Sequence, residues 1–243
     1  LDVKALGEMG IRIANNGGAN SVSVSEHTIA LMLSVYRRMM DAWWNVKQRK
    51  WREGIEKLPP REELTGKTVG IIGLGHIGKE VAKRLRGFEA TVLYHDIVKI
   101  PREVERQLNV KRAPFEEILR TVDVLTLHVP LNRTTRHMIG ERELRMMKPT
   151  AILINACRGP VVDEKALYRA LKERWIAAAG LDVLEQEPTP PDNPLLELDN
   201  VVVTPHWAGG TIQSAHRATE FAMQNFLRLA RGQEPQSLVT PED

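Results

Sequence analysis

Two regimes of hydrophobic patterning divide the chain. Up to about residue 60 the apolar positions follow helical spacing; beyond Leu64 they come in short continuous runs separated by amphipathic stretches. In the first regime, Asn15-Asn16-Gly17-Gly18 reads as a loop. Ser23 followed by Glu26 has the spacing of a capping box and predicts the start of a long helix. That helix is apolar nearly all round from Ile29 to Val35, becomes mixed through Trp51 and is broken before Pro59-Pro60. In the second regime, six runs predict strands: Thr68–Ile72, Thr91–Tyr94, Val124–Val129, Ala151–Asn155, Ala178–Leu181 and Val201–Thr204. Amphipathic segments such as Ile77–Arg86 and Glu164–Arg174 lie between them, and a last helical stretch, Thr211 to Arg231, ends near Gly232. Continuously apolar strands alternating with helices indicate an α/β fold whose parallel sheet is covered on both faces.

The turn after the first of these strands carries chemistry. Thr68–Ile72 runs into Gly73-Leu74-Gly75-His76-Ile77-Gly78 and then into a helix. In such a loop the first glycine makes the tight turn, the second lets backbone approach a pyrophosphate, and the third lets the helix pack on the strand. The helix N-terminus then presents free N–H groups to the anion. An acidic residue, Asp96, closes the next strand about 20 residues on, where a ribose hydroxyl would be bound. With six strands, this predicts a complete doubly wound, Rossmann-type sheet that binds NAD. A carboxylate at Asp96 repels a 2′-phosphate, and the following Ile97 and Val98 offer no cation to hold one; only Lys99 stands against NAD over NADP.

Composition narrows the picture without redirecting it. The 243 residues are 42% hydrophobic and 27% charged, with no apolar run of membrane-spanning length and no signal-peptide pattern. The single cysteine, Cys157, excludes an internal disulfide framework and fits a reducing, cytoplasmic compartment. The net charge of +3 is spread along the chain rather than clustered, which argues against a nucleic-acid partner. His27, His76, His95, His128, His137 and His216 form no metal-ligand pattern and are expected to be structural or exposed.

Three further motifs follow later strands, where open α/β sheets bind ligands. They are Ala156-Cys157-Arg158-Gly159, then Asp182-Val183 with Glu185-Gln186-Glu187-Pro188, and Pro205-His206-Trp207-Ala208-Gly209. An Arg, a Glu and a His at successive strand ends can converge on one crevice. Reduction of a 2-oxo acid needs that set: a planar cationic fork for the carboxylate and carbonyl, and an imidazole to deliver the proton. A carboxylate beside the imidazole favours its protonated form and fixes the ring.

Together with Asn20–Glu26, "GLGHIGKEVA", "HVPLNRTTRHMI", "NACRGPVVDEKAL", "GLDVLEQEP" and "PHWAGGT", these motifs closely resemble the D-isomer-specific 2-hydroxyacid dehydrogenase family, from about Gly10 to Gly232. The resemblance implies NAD-dependent hydride transfer on a small 2-oxo or D-2-hydroxy acid. It implies Arg158 as the substrate-orienting residue, His206 as general acid/base and Glu187 as its partner. It places Gly73, Gly75, His76, Ile77, Gly78, Asp96, Val129, Pro130, Thr135, Asn155, Ala156, Asp182, His206 and Ala208 along the cofactor. It implies a homodimer through an arm that includes Trp43, Trp44 and Trp51, with Tyr36, Met40 and Trp44 as one apolar stripe.

The family's chains open with a substrate domain that is mostly missing here. Residues 1–18 are expected to be its tail end, 19–212 the dinucleotide-binding domain with the dimer-arm helix, and 213–243 a C-terminal helix returning to the substrate domain. The opening Leu1 points to a fragment, a processed chain or residues upstream. Trp207, directly after the histidine, is expected to narrow the pocket. Two other readings fit the same residues: an NAD-dependent sensor or co-repressor, and an enzyme oxidising formate or phosphite.

Overall fold

The computed structural model describes residues 2–239. It divides into two compact units, one formed by residues up to 24 with those from 209 on, the other by residues 25–208. The sequence places these divisions at 18/19 and 212/213; residue 1 and residues 240–243 lie outside the described residues. The first turn of the long helix falls in the smaller unit because Ala19 and Ser23 bond to its C-terminal helix. The Arg217 guanidinium donates to the Ala19 carbonyl at 2.8 Å, and the hydroxyls of Ser23 and Thr211 lie 2.7 Å apart.

In chain order the elements begin with α1 (Val3–Glu8), β1 (Ile13–Ala14), α2 (Ser21–Arg37) and α3 (Met39–Lys47). The alternating part follows as β2 (Thr68–Ile72), α4 (His76–Leu85), β3 (Thr91–His95), α5 (Arg102–Leu108), β4 (Val110–Arg112), α6 (Phe115–Thr121) and β5 (Val124–Leu127). It continues with α7 (Glu141–Met146), β6 (Ile152–Asn155), α8 (Glu164–Lys172), β7 (Ala178–Leu181) and β8 (Val201–Val203), before α9 (Ile212–Ala230) and β9 (Leu238–Val239). In the smaller unit β1 pairs antiparallel with β9.

The larger unit is built on a seven-stranded parallel sheet in the order β4-β3-β2-β5-β6-β7-β8. Strand order reverses between β2 and β5, so the crevice that such sheets use for ligands opens beside the glycine turn. Alternate residues of each strand feed two cores. Ile71, Val92, Val124 and Ile154 pack with Met32 and Tyr36 of α2 and Val81 and Leu85 of α4; Ile72, Leu125 and Leu153 pack with Ile118, Leu144 and Leu167 on the other face.

The six predicted strands are all present, within one or two residues of their expected ends, and β4 is a seventh. The sequence does not show it because Val110-Lys111-Arg112 has one buried residue followed by two exposed cations, as an edge strand does. The long helix departs further from expectation. It starts at Ser21, two residues before the supposed cap, and breaks at Arg38, which sits in the left-handed region at φ 50°. The cause is a competing donor: the Tyr36 carbonyl accepts the amide of Glu62 at 3.0 Å. The break also dissolves the expected stripe. Tyr36 is buried in the core while Met40 and Trp44 of α3 are about half exposed.

Candidate active site

The glycine turn is packed so that backbone replaces side chains. Gly73 has φ +91°, and a Cβ there would lie 2.4 Å from the His128 carbonyl oxygen. A Cβ at Gly78 would lie 2.1 Å from the Gly73 oxygen, so α4 is seated directly on the turn. Gly75 differs: a Cβ there meets nothing within 4 Å, and no side chain caps the helix it precedes. An uncapped helix start beside open space is the arrangement that a pyrophosphate fills. Asp96, at the end of β3, is tied to this turn, its carboxylate accepting the Leu74 amide at 2.6 Å and the Val98 amide at 2.8 Å. Arg112 of β4 donates to the Asp96 carbonyl at 2.9 Å. The unpredicted strand therefore brings a cation next to Asp96 that Ile97 and Val98 do not supply.

On the other side of the crevice the loop after β5 carries Val129, half-buried, and Pro130, exposed. Thr135 holds that loop in place, its hydroxyl donating to the Pro130 carbonyl at 2.6 Å. Beyond β6, which ends at the buried Asn155 beside Ala156, the Asn155 amide donates to the Arg158 carbonyl at 3.0 Å, and its oxygen accepts the Cys157 amide. Arg158 is exposed, with one guanidinium nitrogen on the Cys157 carbonyl at 2.6 Å. Burial pushes the Cys157 thiol up to about 11, against hydrogen bonds from the Arg158 and Val129 backbone that act in the opposite direction. Gly159 wedges this turn against the next one; a Cβ there would lie 1.8 Å from the Leu184 carbonyl oxygen.

That next turn carries Glu187. Its carboxylate accepts the Leu184 amide at 3.1 Å through one oxygen and meets the His206 Nδ1 at 2.6 Å through the other. The peptide Glu187–Pro188 is cis. His206 lies in the left-handed region at φ 52°, a conformation that costs a residue with a side chain about 1–3 kcal/mol and persists only where neighbours impose it. Asp182 imposes it. Its carbonyl accepts the His206 amide at 2.7 Å, and its carboxylate accepts the amides of Trp207 at 2.9 Å and Ala208 at 2.8 Å. The same carboxylate takes the Thr204 hydroxyl at 2.5 Å, and His27 of α2 bonds to Thr204. Burial raises the Asp182 carboxyl, but the bonds from His27, Thr204 and the two amides outweigh it and leave the group below its ordinary value. Beside His206 and Glu187 lies a cavity of about 700 Å³ with an apolar wall that includes Leu184, Pro188, Leu196, Val203 and Pro205.

The sequence profile described as "D-isomer specific 2-hydroxyacid dehydrogenase, NAD binding domain" matches residues 29–208. This chain belongs to the D-isomer specific 2-hydroxyacid dehydrogenases. A glyoxylate reductase of Korarchaeum cryptofilum is 43% identical over 243 residues, all of this chain and 73% of that protein. A D-3-phosphoglycerate dehydrogenase of Archaeoglobus fulgidus is 43% identical over 236 residues, 96% of this chain and 43% of that protein. Among solved structures, the holo form of D-mandelate dehydrogenase from Rhodotorula graminis superposes with a TM-score of 0.93 at 31% identity, over 98% of this chain and 71% of that one. The protein is therefore an NAD-dependent oxidoreductase of small 2-hydroxy and 2-oxo acids, as the motifs imply.

Within the larger unit, the geometry brings Asp182, Glu187 and His206 into one bonded set and packs the Arg158 turn against it through Gly159. Gly73, Gly75, His76, Ile77, Gly78 and Asp96 form a second set around the start of α4. Ala208 enters the first set through its amide, and Trp207 is two-thirds exposed. His27, which the sequence reads as structural or exposed, is structural: α2 carries it to within 3.4 Å of Asp182, a partner that nothing in its local pattern shows.

Proposed function

We propose that His206 is the general acid/base of the dehydrogenase, with Glu187 as its partner and Arg158 as the residue that orients the substrate. The observation that carries this reading is the 2.6 Å contact between His206 Nδ1 and Glu187. With Nδ1 donating to the carboxylate, the exchangeable proton is the one on Nε2. In reduction the ring gives that proton to the carbonyl oxygen and is left neutral, its remaining N–H still on Glu187; oxidation runs the same transfer backwards. The exposed fork of Arg158 suits the substrate carboxylate, which a lysine would meet as a point charge only. NADH, when bound, would supply the hydride for the carbonyl carbon. Residues 73–78 would hold its pyrophosphate on the helix start, and Asp96 its ribose hydroxyls.

The relatives named as glyoxylate reductases support a small 2-oxo acid of the glyoxylate kind as substrate. The test is turnover with NADH across glyoxylate, hydroxypyruvate, pyruvate and an aromatic 2-oxo acid, with formate and phosphite as the opposed donors. We expect activity on the smallest acids and a loss on the order of 10²–10⁴-fold in His206→Ala. Oxidation of formate or phosphite alone, or an unaltered His206→Ala enzyme, would overturn the reading.

The same proposal extends to assembly and location. Trp43, Trp44 and Trp51 are each more than half exposed, beside Met39, Met40 and Val46, on or just after α3. So much apolar surface in one place marks an interface, and a homodimer through this arm covers it. Trp44→Glu is expected to shift sedimentation toward monomer; a parent that sediments as a monomer at micromolar concentration refutes the dimer. No helix among the described residues is long and apolar enough to cross a membrane, and the buried free thiol of Cys157 suits the reducing cytoplasm.

A further inference from the structure

The His206 segment is held by a chain of side chains that ends on a different element. The Thr204 hydroxyl donates to Asp182 Oδ1 at 2.5 Å, so its oxygen is left to accept. The atom that faces it is His27 Nε2, at 2.8 Å, with the same Asp182 oxygen 3.4 Å away. His27 Nε2 must therefore carry a proton and point it at the Thr204–Asp182 pair. The neighbouring Glu26 is engaged elsewhere, with Arg84 at 3.2 Å. Asp182 is almost fully buried, and its two oxygens hold the amides of Trp207 and Ala208 while its carbonyl holds that of His206.

We propose that His27 is a positioning residue for proton transfer: through Thr204 and Asp182 it fixes the left-handed turn that presents His206. The route is continuous and each link has a direction. His27 donates to Thr204, Thr204 donates to Asp182, and Asp182 accepts three consecutive backbone amides around His206. Losing the first link frees the Thr204 hydroxyl to rotate off the carboxylate, and the turn loses one of the constraints that keep it in a disfavoured conformation. His27 touches neither His206 nor Glu187 among the described contacts, so its effect is one of placement. This inference rests on the proposed role of His206.

The test compares His27→Ala, His27→Gln and Thr204→Val in the intact enzyme. His27→Ala is expected to lower kcat about 10-fold, within the 10²-fold that a misplacement of ~1 Å costs, with the KM for NADH changed less than about twofold. His27→Gln, whose amide can donate where the imidazole did, is expected to restore kcat. Thr204→Val is expected to match His27→Ala, and the double variant to lose little more than either single one, because both break the same chain. Amide exchange supplies a readout that does not depend on turnover. The backbone of residues 203–209 is expected to exchange about 10-fold faster in His27→Ala and at the parent rate in His27→Gln.

Parent kcat and exchange in His27→Ala, or losses that multiply in the double variant, would overturn the proposal. Should His27→Ala not fold, Thr204→Val and Thr204→Ser, which respectively remove and keep the linking hydroxyl, decide it by the same two readouts. An active His206→Ala enzyme would instead remove the general acid/base reading. An inactive one beside an unaffected His27→Ala would remove this inference alone.

Discussion

The glycine turn after β2 and the histidine segment after β8 both follow strands of one sheet, yet they are kept in shape by different means. At the turn, main chain packs against main chain: the spaces that Cβ atoms of residues 73 and 78 would need hold the His128 and Gly73 carbonyls. At the histidine segment there is room for side chains, and hydrogen bonds to Asp182 and Glu187 hold a residue whose own preference is for another conformation. The first is a steric fit between six consecutive residues and the main chain that follows β5. The second is a network assembled from α2, β7 and the two loops on either side of β8. A steric fit fails abruptly when atoms are added; a network fails by degrees as donors and acceptors are removed.

Breaking the fit is expected to produce the largest effect. Gly73→Ala adds a methyl 2.4 Å from a backbone oxygen at φ +91°, combining overpacking of about 1–3 kcal/mol with backbone strain of similar size. Tm is expected to fall by on the order of 10 °C, with NADH binding lost. Gly75→Ala makes the sharper comparison. Its Cβ meets nothing within 4 Å, so Tm is expected to stay within about 1 °C while the Kd for NADH rises at least 10-fold, because the methyl stands where the pyrophosphate approaches. Calorimetry and NADH fluorescence titration check both. A Gly75→Ala variant that binds NADH like the parent would show that the pyrophosphate does not lie over this glycine.

This contrast also explains what could be read from the residues alone. The glycine turn is legible because its signature is local: a strand, three glycines at fixed spacing and an acidic residue on the next strand are all visible in sequence. Arg158, Glu187 and His206 were legible as strand-end residues of a recognisable family. Their support was not. Thr204 looks like the last residue of an apolar strand, and His27 like one polar residue of a mostly apolar helix. Only the packing of α2 against β7, where a Cβ at Gly180 would lie just 3.2 Å from that of Leu31, brings His27 over Asp182. The break at Arg38 was hidden for the same reason, since the donor that takes the Tyr36 carbonyl is Glu62, far along the chain. Strand β4 failed differently: a three-residue edge strand with two cations has too little periodicity to register.

The network should weaken in steps, and Asp182 is the place to measure it. Asp182→Asn keeps one acceptor oxygen for the two amides and puts an amino group against the other donors, at a cost of about 1–3 kcal/mol at neutral pH. The folded carboxyl lies below its ordinary value of 3.8, so the stability it contributes is fully present above that value and is lost as pH falls through the lower folded one. The gap in Tm between parent and variant is therefore expected to be widest near neutrality and to shrink below about pH 4. Thermal melts across pH 3–7 check this, and a gap that is unchanged at pH 3 would mean that the charge of Asp182 contributes nothing to the segment.

An effect on selectivity rather than on shape is expected at the far end of the glycine turn, where Asp96 joins the two kinds of constraint. Its carboxylate braces the turn through the Leu74 amide and, as proposed here, accepts the ribose hydroxyls of NAD. Asp96→Ala removes both contributions, so binding of NADH and NADPH should each lose the bracing part. Their ratio isolates the rest. Without the carboxylate a 2′-phosphate is no longer repelled, and the Arg112 guanidinium, held 2.9 Å from the Asp96 carbonyl by the main chain, stays beside the site in the variant. A single charged hydrogen bond is worth about 1.5–3 kcal/mol, which sets the expected narrowing of the NADH-to-NADPH preference at roughly 10- to 100-fold. Adding Arg112→Gln to Asp96→Ala should return part of that preference by weakening NADPH alone. Kd values for both cofactors in the parent, the single and the double variant decide the matter. A parent that binds NADPH as tightly as NADH would show that the arginine, rather than the carboxylate, already governs this end of the turn.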